Sequence, residues 1–461
     1  MVGYRATFII VRPLNTMSVR FSLGSAAVGS ALLASSLAGC GGGGGSTSTA
    51  SAASASYTLS GSVSGLSSSG LVLGNGDRTL SVASGASSFT FGSVSGTYSV
   101  SVISQPDGQT CSVSSGSGSM TSNVSSVSVV CRNYMAYVTN SAGGSLAQFS
   151  VTAGTGQLIA LSTPTLATSY SPSAVVLSPD GLYAYVAYND KQLVSVYDVD
   201  KDGVLSLAGS ANAASAAYAL ALGPSGSTLY TADYGYATVS QFSVGSDGIP
   251  LALSPKTVSA GSNPLSIVVT PDGKFVYVAN SSSDSISQYS VGSNGALSAL
   301  SITTISTSGV GSAPTALAVD PDGNYLYATL ADSGVVAQYA IGSSGVLSSL
   351  SPASVSAGDS PRGVVITPDG KYAYVANSGS ATVSQYVIAS GKLTALATPS
   401  VSTGSSPQAL TVSPDGRYAY VVNNGDATVS QYSVLSGGAL QAMSVSSVAT
   451  AGLRPSSIAV R

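Results

Sequence analysis

From Tyr134 to the C-terminus the chain alternates short apolar and polar runs with a long period superimposed. The last full copy reads ALTVS, the turn Pro414-Asp415-Gly416, RYAYVVN, TVSQYSV and LQAMSVSSV, which predicts four strands. Proline at the second turn position presets φ, and glycine at the fourth accepts a positive φ. Strand alternation puts Tyr418, Tyr420 and Val422 on one face and Ala419 and Val421 on the other. Both faces are apolar, so both must be covered. Aligned on the tyrosine of the second strand, the copies fall at Tyr137, Tyr185, Tyr230, Tyr277, Tyr327, Tyr374 and Tyr420, with spacings of 48, 45, 47, 50, 47 and 46. Seven four-stranded units at that period form a repeat array in which neighbours cover one another, as the blades of a β-propeller do.

The two ends of the array decide how it closes. The chain finishes with Pro455-Ser456-Ser457-Ile458-Ala459-Val460, an innermost strand with no turn after it, whereas the first repeat opens at Tyr134 with no innermost strand before it. One C-terminal strand added to three N-terminal strands makes a seven-bladed ring without an exposed edge.

Upstream, residues 57–131 read as about six short alternating strands separated by turn signals such as Gly74-Asn75-Gly76-Asp77 and Gln105-Pro106-Asp107-Gly108. That pattern predicts a small β-sandwich over residues 56–132. The fold expected is therefore all-β, a seven-bladed propeller over 133–461 preceded by that sandwich. Residues 1–39 hold Arg12 and Arg20 before a small-residue apolar run and read as a cleaved signal, for which Met17 is a more typical start than Met1. Residues 41–55 read as a flexible Gly/Ser/Thr/Ala tether.

Only 7% of the residues are charged, the net charge is -3, and histidine and tryptophan are absent. Aspartate accounts for all 18 acidic residues, so glutamate is absent too. The lack of a basic patch excludes nucleic-acid binding. The lack of His and Glu removes the side chains most readily tuned for acid–base work near neutral pH, and His is also the commonest metal ligand. No cofactor is expected.

Leu37-Ala38-Gly39-Cys40 resembles the lipobox of bacterial lipoproteins. The resemblance implies a diacylglycerol on Cys40, membrane anchoring, and, with Gly41 following, the outer membrane of the cell envelope. Cys111 and Cys131 then remain as an even pair in an oxidising compartment, where a disulfide would contribute about 3 kcal/mol in the chain-entropy model. The sandwich segment resembles Ig-like modules at the front of bacterial surface proteins. Residues 134–461 resemble the YVTN-repeat and lactonase-type seven-bladed propellers through Tyr137-Val138-Thr139-Asn140, Tyr277-Val278-Ala279-Asn280, Tyr374-Val375-Ala376-Asn377 and the Pro-Asp-Gly turns.

Those residues are architectural, so recognition is expected where the copies differ. The inner-strand entries carry Ser173, Tyr218, Leu265, Thr315, Arg362, Gln408 and Ser456, of which Arg362 is the one charge. Lactonase-type relatives carry a Gly-Pro-Arg-His segment here; this chain has Ser360-Pro361-Arg362-Gly363, which keeps the arginine to orient an anion and lacks the histidine. The rim loops carry Asp190, Lys191, Asp233, Tyr234, Tyr236, Asp284, Asp332 and Asp426, a set suited to a glycan or cation. Ligand contacts are expected from Arg362, Tyr218, Gln408, Asp190, Asp233 and Asp426, with a protein or glycan partner at the channel mouth. Asp198, Asp200 and Asp202 have calcium-loop spacing, but Gly209 stands at the twelfth position in place of a bidentate Glu, so the segment reads as a hairpin. The function expected is a lipid-anchored binding or interaction scaffold rather than an enzyme; the alternative is a lactonase-like hydrolase or cyclase.

Overall fold

A computed structural model describes residues 55–461. Cys40, the leader and most of the tether lie outside the described residues. Tyr57 to Asn133 forms eight strands: β1 (Tyr57–Ser64), β2 (Val72–Asn75), β3 (Arg78–Ser81), β4 (Ser88–Val94), β5 (Thr97–Ser104), β6 (Gln109–Ser114), β7 (Ser117–Ser119) and β8 (Val124–Asn133). They assemble as two sheets, β4-β1-β8-β6 and β3-β2-β5-β7, around one core that includes Leu59, Leu73, Phe89, Val100, Val127 and Val129. Two of the strands, β6 and β7, go beyond the sequence reading, because their Ser- and Gly-rich segments carry too few apolar residues to show alternation. Cys111 on β6 faces Cys131 on β8 in register, and their sulfurs lie 2.00 Å apart.

The remainder is a ring of seven four-stranded sheets. Blade 1 takes Met135–Asn140, Ser145–Val151 and Leu158–Ala167, and its innermost strand is the C-terminal Pro455–Val460, which pairs antiparallel with Met135–Asn140. Blades 2 to 7 follow as residues 172–211, 217–259, 264–306, 314–356, 361–402 and 407–449. Each inner strand touches the next round the whole circle, so the ring is shut by the mixed first blade. Seven separate apolar clusters fill the seven interfaces. Tyr418, Tyr420 and Val422 pack on blade 1 while Ala419 and Val421 pack on blade 6, so alternation within one strand supplies both faces.

Two hydrogen bonds recur at these interfaces. The hydroxyl of each aligned tyrosine donates to the carbonyl of a glycine in the outer hairpin of the next blade: Tyr137 to Gly203, Tyr185 to Gly248, Tyr230 to Gly295, Tyr277 to Gly345, Tyr327 to Gly391 and Tyr374 to Gly438, at 2.6–3.0 Å. Tyr420 donates to Gly156 at 2.5 Å and completes the circle. These glycines have φ near 70–85°, a conformation that costs a side-chain-bearing residue energy. The second bond comes from a buried glutamine one strand further out. Its Oε1 accepts the outer-strand N–H of the next blade, as Gln338 does from Leu393 at 2.6 Å, and its amide donates within its own blade, here to the Pro352 carbonyl at 3.1 Å.

The sandwich sits against this ring. Arg417, in the turn of blade 7, forms ion pairs with both Asp415 beside it and Asp107 of the sandwich. Tyr134 N–H donates to the Gly108 carbonyl at 2.9 Å, and Arg132 reaches the Asp200 carbonyl.

Candidate functional site: the channel mouth

The inner strands surround a central channel of about 690 Å³, and the second residue of every one of them lines it: Ser173, Tyr218, Leu265, Thr315, Arg362, Gln408 and Ser456. Three of them are engaged in the ring itself. Ser173 donates to the Ala217 carbonyl at 2.8 Å, Thr315 to the Pro361 carbonyl at 2.9 Å and Ser456 to the Ser173 carbonyl at 3.0 Å, each stitching one inner strand to the next. Gln408 donates to Ser378 Oγ at 3.2 Å. Tyr218 is 39% exposed. Arg362 is exposed and makes no ion pair among the described residues.

A second arginine lines the same space. Arg454 occupies a left-handed backbone position, φ 53°, immediately before the last inner strand. The equivalent residues Asn263, Ala313, Ser360 and Ser406 share that conformation, φ 50–56°. Each offers its carbonyl to the N–H that follows the second strand, as Arg454 does to Ser141 at 3.1 Å. Sequence reasoning missed Arg454 because it compared only one position at the entry of each inner strand, the column of Ser456. The column two residues earlier holds five small residues, one asparagine and one arginine, and would have shown it. Arg362 and Arg454 are the only charged residues in the channel lining, which contains no carboxylate. Two guanidinium groups without a carboxylate partner give this concave wall a positive potential.

The rim aspartates do not join them. Asp190 accepts Ser171 N–H at 3.0 Å, and Asp426 accepts Ser405 N–H at 2.5 Å, which holds its carboxyl below the ordinary value. Both are exposed loop residues whose oxygens serve their own loops. Asp284 accepts Ala313 N–H at 2.7 Å. Lys191 lies over the Tyr170 ring. Tyr234 stands beside Tyr218, their rings 6.0 Å apart, while Tyr236 is exposed outside the channel lining.

Asp233 is a correction. Read as a rim residue, it is in fact fully buried inside blade 3, at the position that Asn140, Asn280, Asn377 and Asn423 hold elsewhere. In blade 4, Asn280 donates its amide to Ser285 and Ser287. In blade 3 the direction reverses: Thr231, Thr238 and Ser240 all donate to the Asp233 carboxylate, at 2.6, 3.1 and 2.6 Å. Burial pushes its carboxyl up to about 6, against the pull of those three hydroxyls. The group is saturated and has no path to the channel, so it is a packing residue.

Asp200 likewise serves its own hairpin, accepting Asp202 N–H at 2.9 Å and Val204 N–H at 2.8 Å, and Gly203 is the acceptor of the Tyr137 clamp. Gly363, which stands where relatives carry histidine, packs against the next inner strand. A Cβ there would lie 2.8 Å from Leu410 Cδ2 and 3.1 Å from the Gln408 carbonyl, so this backbone has closed over the space a larger side chain needs.

The sequence matches the family described as lactonase, 7-bladed beta-propeller, over residues 132–266, 250–360 and 358–460. The chain belongs to the lactonase seven-bladed propeller family. No curated protein matches the sequence. Among solved structures, this lactonase-family ring resembles a candidate 6-phosphogluconolactonase of Bacteroides fragilis, with 22% identity and a TM-score of 0.62 over 71% of this chain and 97% of that one. A candidate 6-phosphogluconolactonase of Bacteroides uniformis aligns with 22% identity, a TM-score of 0.62 and coverage of 71% and 99%. The periplasmic gluconolactonase of Pseudomonas aeruginosa aligns with 20% identity, a TM-score of 0.62 and coverage of 71% and 98%. At these identities the likeness is one of fold. The sandwich, residues 57–131, falls outside the family match.

Proposed function

We propose that the channel of this lactonase-family propeller takes a sugar lactone or the sugar acid formed from it, with Arg362 and Arg454 on the anionic oxygens. The observation that carries the reading is the pair of unpaired arginines in a channel lining free of carboxylates. The lactonase-type neighbours support the choice of ligand. In hydrolysis, water adds to the lactone carbonyl carbon, the ring C–O bond breaks, and the leaving oxygen takes up a proton. A guanidinium placed on the carbonyl oxygen stabilises the oxyanion formed on the way. The lining supplies no group to deprotonate the water, so the rate should climb with hydroxide concentration. The same proposal places the chain at the cell-envelope membrane through Cys40, on the support of Leu37-Ala38-Gly39-Cys40 alone.

A second reading, a binding module without turnover, is favoured by that missing base. One experiment separates the two. The full chain is given gluconolactone and its 6-phosphate in a pH-stat, and gluconate and 6-phosphogluconate in a calorimeter. Hydrolysis above the spontaneous rate that is lost in the Arg362→Ala, Arg454→Ala double variant supports the enzyme. Arginine-dependent binding without rate enhancement supports the binding module. Neither hydrolysis nor binding refutes the site.

A further inference from the structure

The channel mouth opens sideways into a second cavity of about 480 Å³, above blades 2 to 4. The two cavities share a wall, since Asn189, Tyr218, Leu265 and Arg362 line both. Each alone has the size of a complete small-molecule site, about 300–1,000 Å³. A single sugar ring in the channel would leave the side cavity open. The side cavity has its own chemistry. Tyr234, which does not line the channel, adds a second aromatic face beside Tyr218, with the rings 34° from parallel, and both are about 40% exposed. Asn263, Ser281 and Ser282 bring amide and hydroxyl groups to the opposite side. Asn263 donates its amide to Ser282 Oγ at 2.7 Å, and further donors and acceptors remain on these three side chains beyond that bond. Exposed tyrosine faces take the C–H face of a pyranose, while hydroxyl and amide groups take its edge.

We propose that the two cavities form one continuous groove for an acidic oligosaccharide, with one sugar in the channel and at least one more on the Tyr218–Tyr234 pair. Arg362 lines both cavities and Arg454 stands at the entry of the last inner strand on the channel wall alone, so two units of a chain with a carboxylate on each sugar meet a cation apiece. No carboxylate lines either cavity to repel them. The inference rests on the channel reading above and extends it from a free sugar acid to a polymer of such acids.

The test is calorimetry of the full chain with galacturonate, its dimer and its trimer, with neutral oligosaccharides of equal length and gluconate as comparisons. Affinity that rises at least tenfold from monomer to trimer, with neutral chains much weaker, is the result expected. Tyr234→Ala should remove most of that gain, a factor of about 3–10 for one aromatic face, and leave monomer binding unchanged. Equal affinity for monomer and trimer overturns the groove and leaves the channel reading standing. A trimer advantage untouched by Tyr234→Ala overturns its location, and neutral chains binding as well as acidic ones overturn the role of the arginines. No binding of gluconate or of any galacturonate removes the groove and the channel reading together.

Discussion

Blades 4, 6 and 7 repeat one another bond for bond. In each, a buried asparagine ends the second strand and donates to two hydroxyls of the third, and a buried glutamine reaches an N–H of the next blade or, from blade 7, of blade 1. Blade 2 breaks both habits, and blade 3 breaks the first while keeping its glutamine, Gln241. Blade 2 has Tyr188 for the asparagine and Val196 for the glutamine, and blade 3 has Asp233 for the asparagine. What makes the comparison informative is that the departures come in matched sets. The residue of blade 3 that would donate to a glutamine at 196 is Pro250, which has no N–H. The outer strand of blade 2, Leu205–Ala211, is also shorter than the ten-residue Pro250–Ser259, whose bulge supplies the acceptor for the blade 3 glutamine at Pro255. Donor and acceptor are lost together and the bulge shrinks to the single step between Leu207 and Gly209, so no buried group of this junction is left unpaired. The side cavity lies over this same irregular arc, where Asn189, Tyr218 and Tyr234 stand.

The comparison is most sharply broken by exchanging the two kinds of junction. Gln338→Leu removes the acceptor of Leu393 N–H and the donor to Pro352, and should cost about 4 kcal/mol, at about 2 for each orphaned group. Val196→Gln should also destabilise, because its carbonyl would face Pro250 and find no donor. Adding Pro250→Leu to Val196→Gln should recover part of that loss. Urea denaturation of the parent, Val196→Gln, Pro250→Leu and the double variant measures the coupling, and a Val196→Gln chain as stable as the parent would show that the match is accidental.

Next in size is the reversed polar cluster of blade 3. The carboxyl of Asp233 is raised from 3.8 to about 6 by burial, so the folded chain holds its proton more tightly than the unfolded one. Stability from this group is therefore full below about pH 4 and is lost as pH rises through about 6, a change of at most about 3 kcal/mol. Asp233→Asn restores the amide that the other blades use. It should raise stability at pH 7 and flatten the pH 4–6 slope in thermal melts, whereas an unchanged slope would show that Asp233 is ionised throughout.

Much of this was legible in the chain because a propeller repeats. Seven tyrosines at near-equal spacing, the Pro-Asp-Gly turns and the unmatched inner strand at Pro455 were enough for the ring and its closure. Tyr218, Arg362 and Gln408 were found by asking where the copies differ. The same question misled at Asp233, since a departure from the repeat marks either a ligand site or a buried substitution, and only the third-strand hydroxyls tell which. Arg454 escaped because its column is defined by a backbone conformation, left-handed at five positions, that no residue type spells out. The side cavity escaped for a related reason, since it joins residues of blades 2, 3, 4 and 6 that are adjacent only once the ring is shut.

The smallest effect expected comes from the one irregular spacing, the 50 residues between Tyr277 and Tyr327. In blades 4, 6 and 7 a third-strand tyrosine donates to the last carbonyl of the preceding outer strand: Tyr289 to Ser259, Tyr386 to Ser356 and Tyr432 to Ser402, at 2.5–2.7 Å. The counterpart in blade 5, Tyr339, is buried with no partner for its hydroxyl. Its acceptor would be Ser306, where the longer loop begins, and the Thr307 hydroxyl in that loop is orphaned as well. Burial without a hydrogen bond pushes the Tyr339 hydroxyl up to about 12. Tyr386→Phe should cost about 1 kcal/mol, the net worth of one buried hydrogen bond. Tyr339→Phe gives up no hydrogen bond and relieves a desolvated hydroxyl, so its denaturation midpoint should match or exceed that of the parent chain. Equal losses at the two positions would mean that the Tyr339 hydroxyl has a partner after all and that the blade 5 junction is as regular as its neighbours.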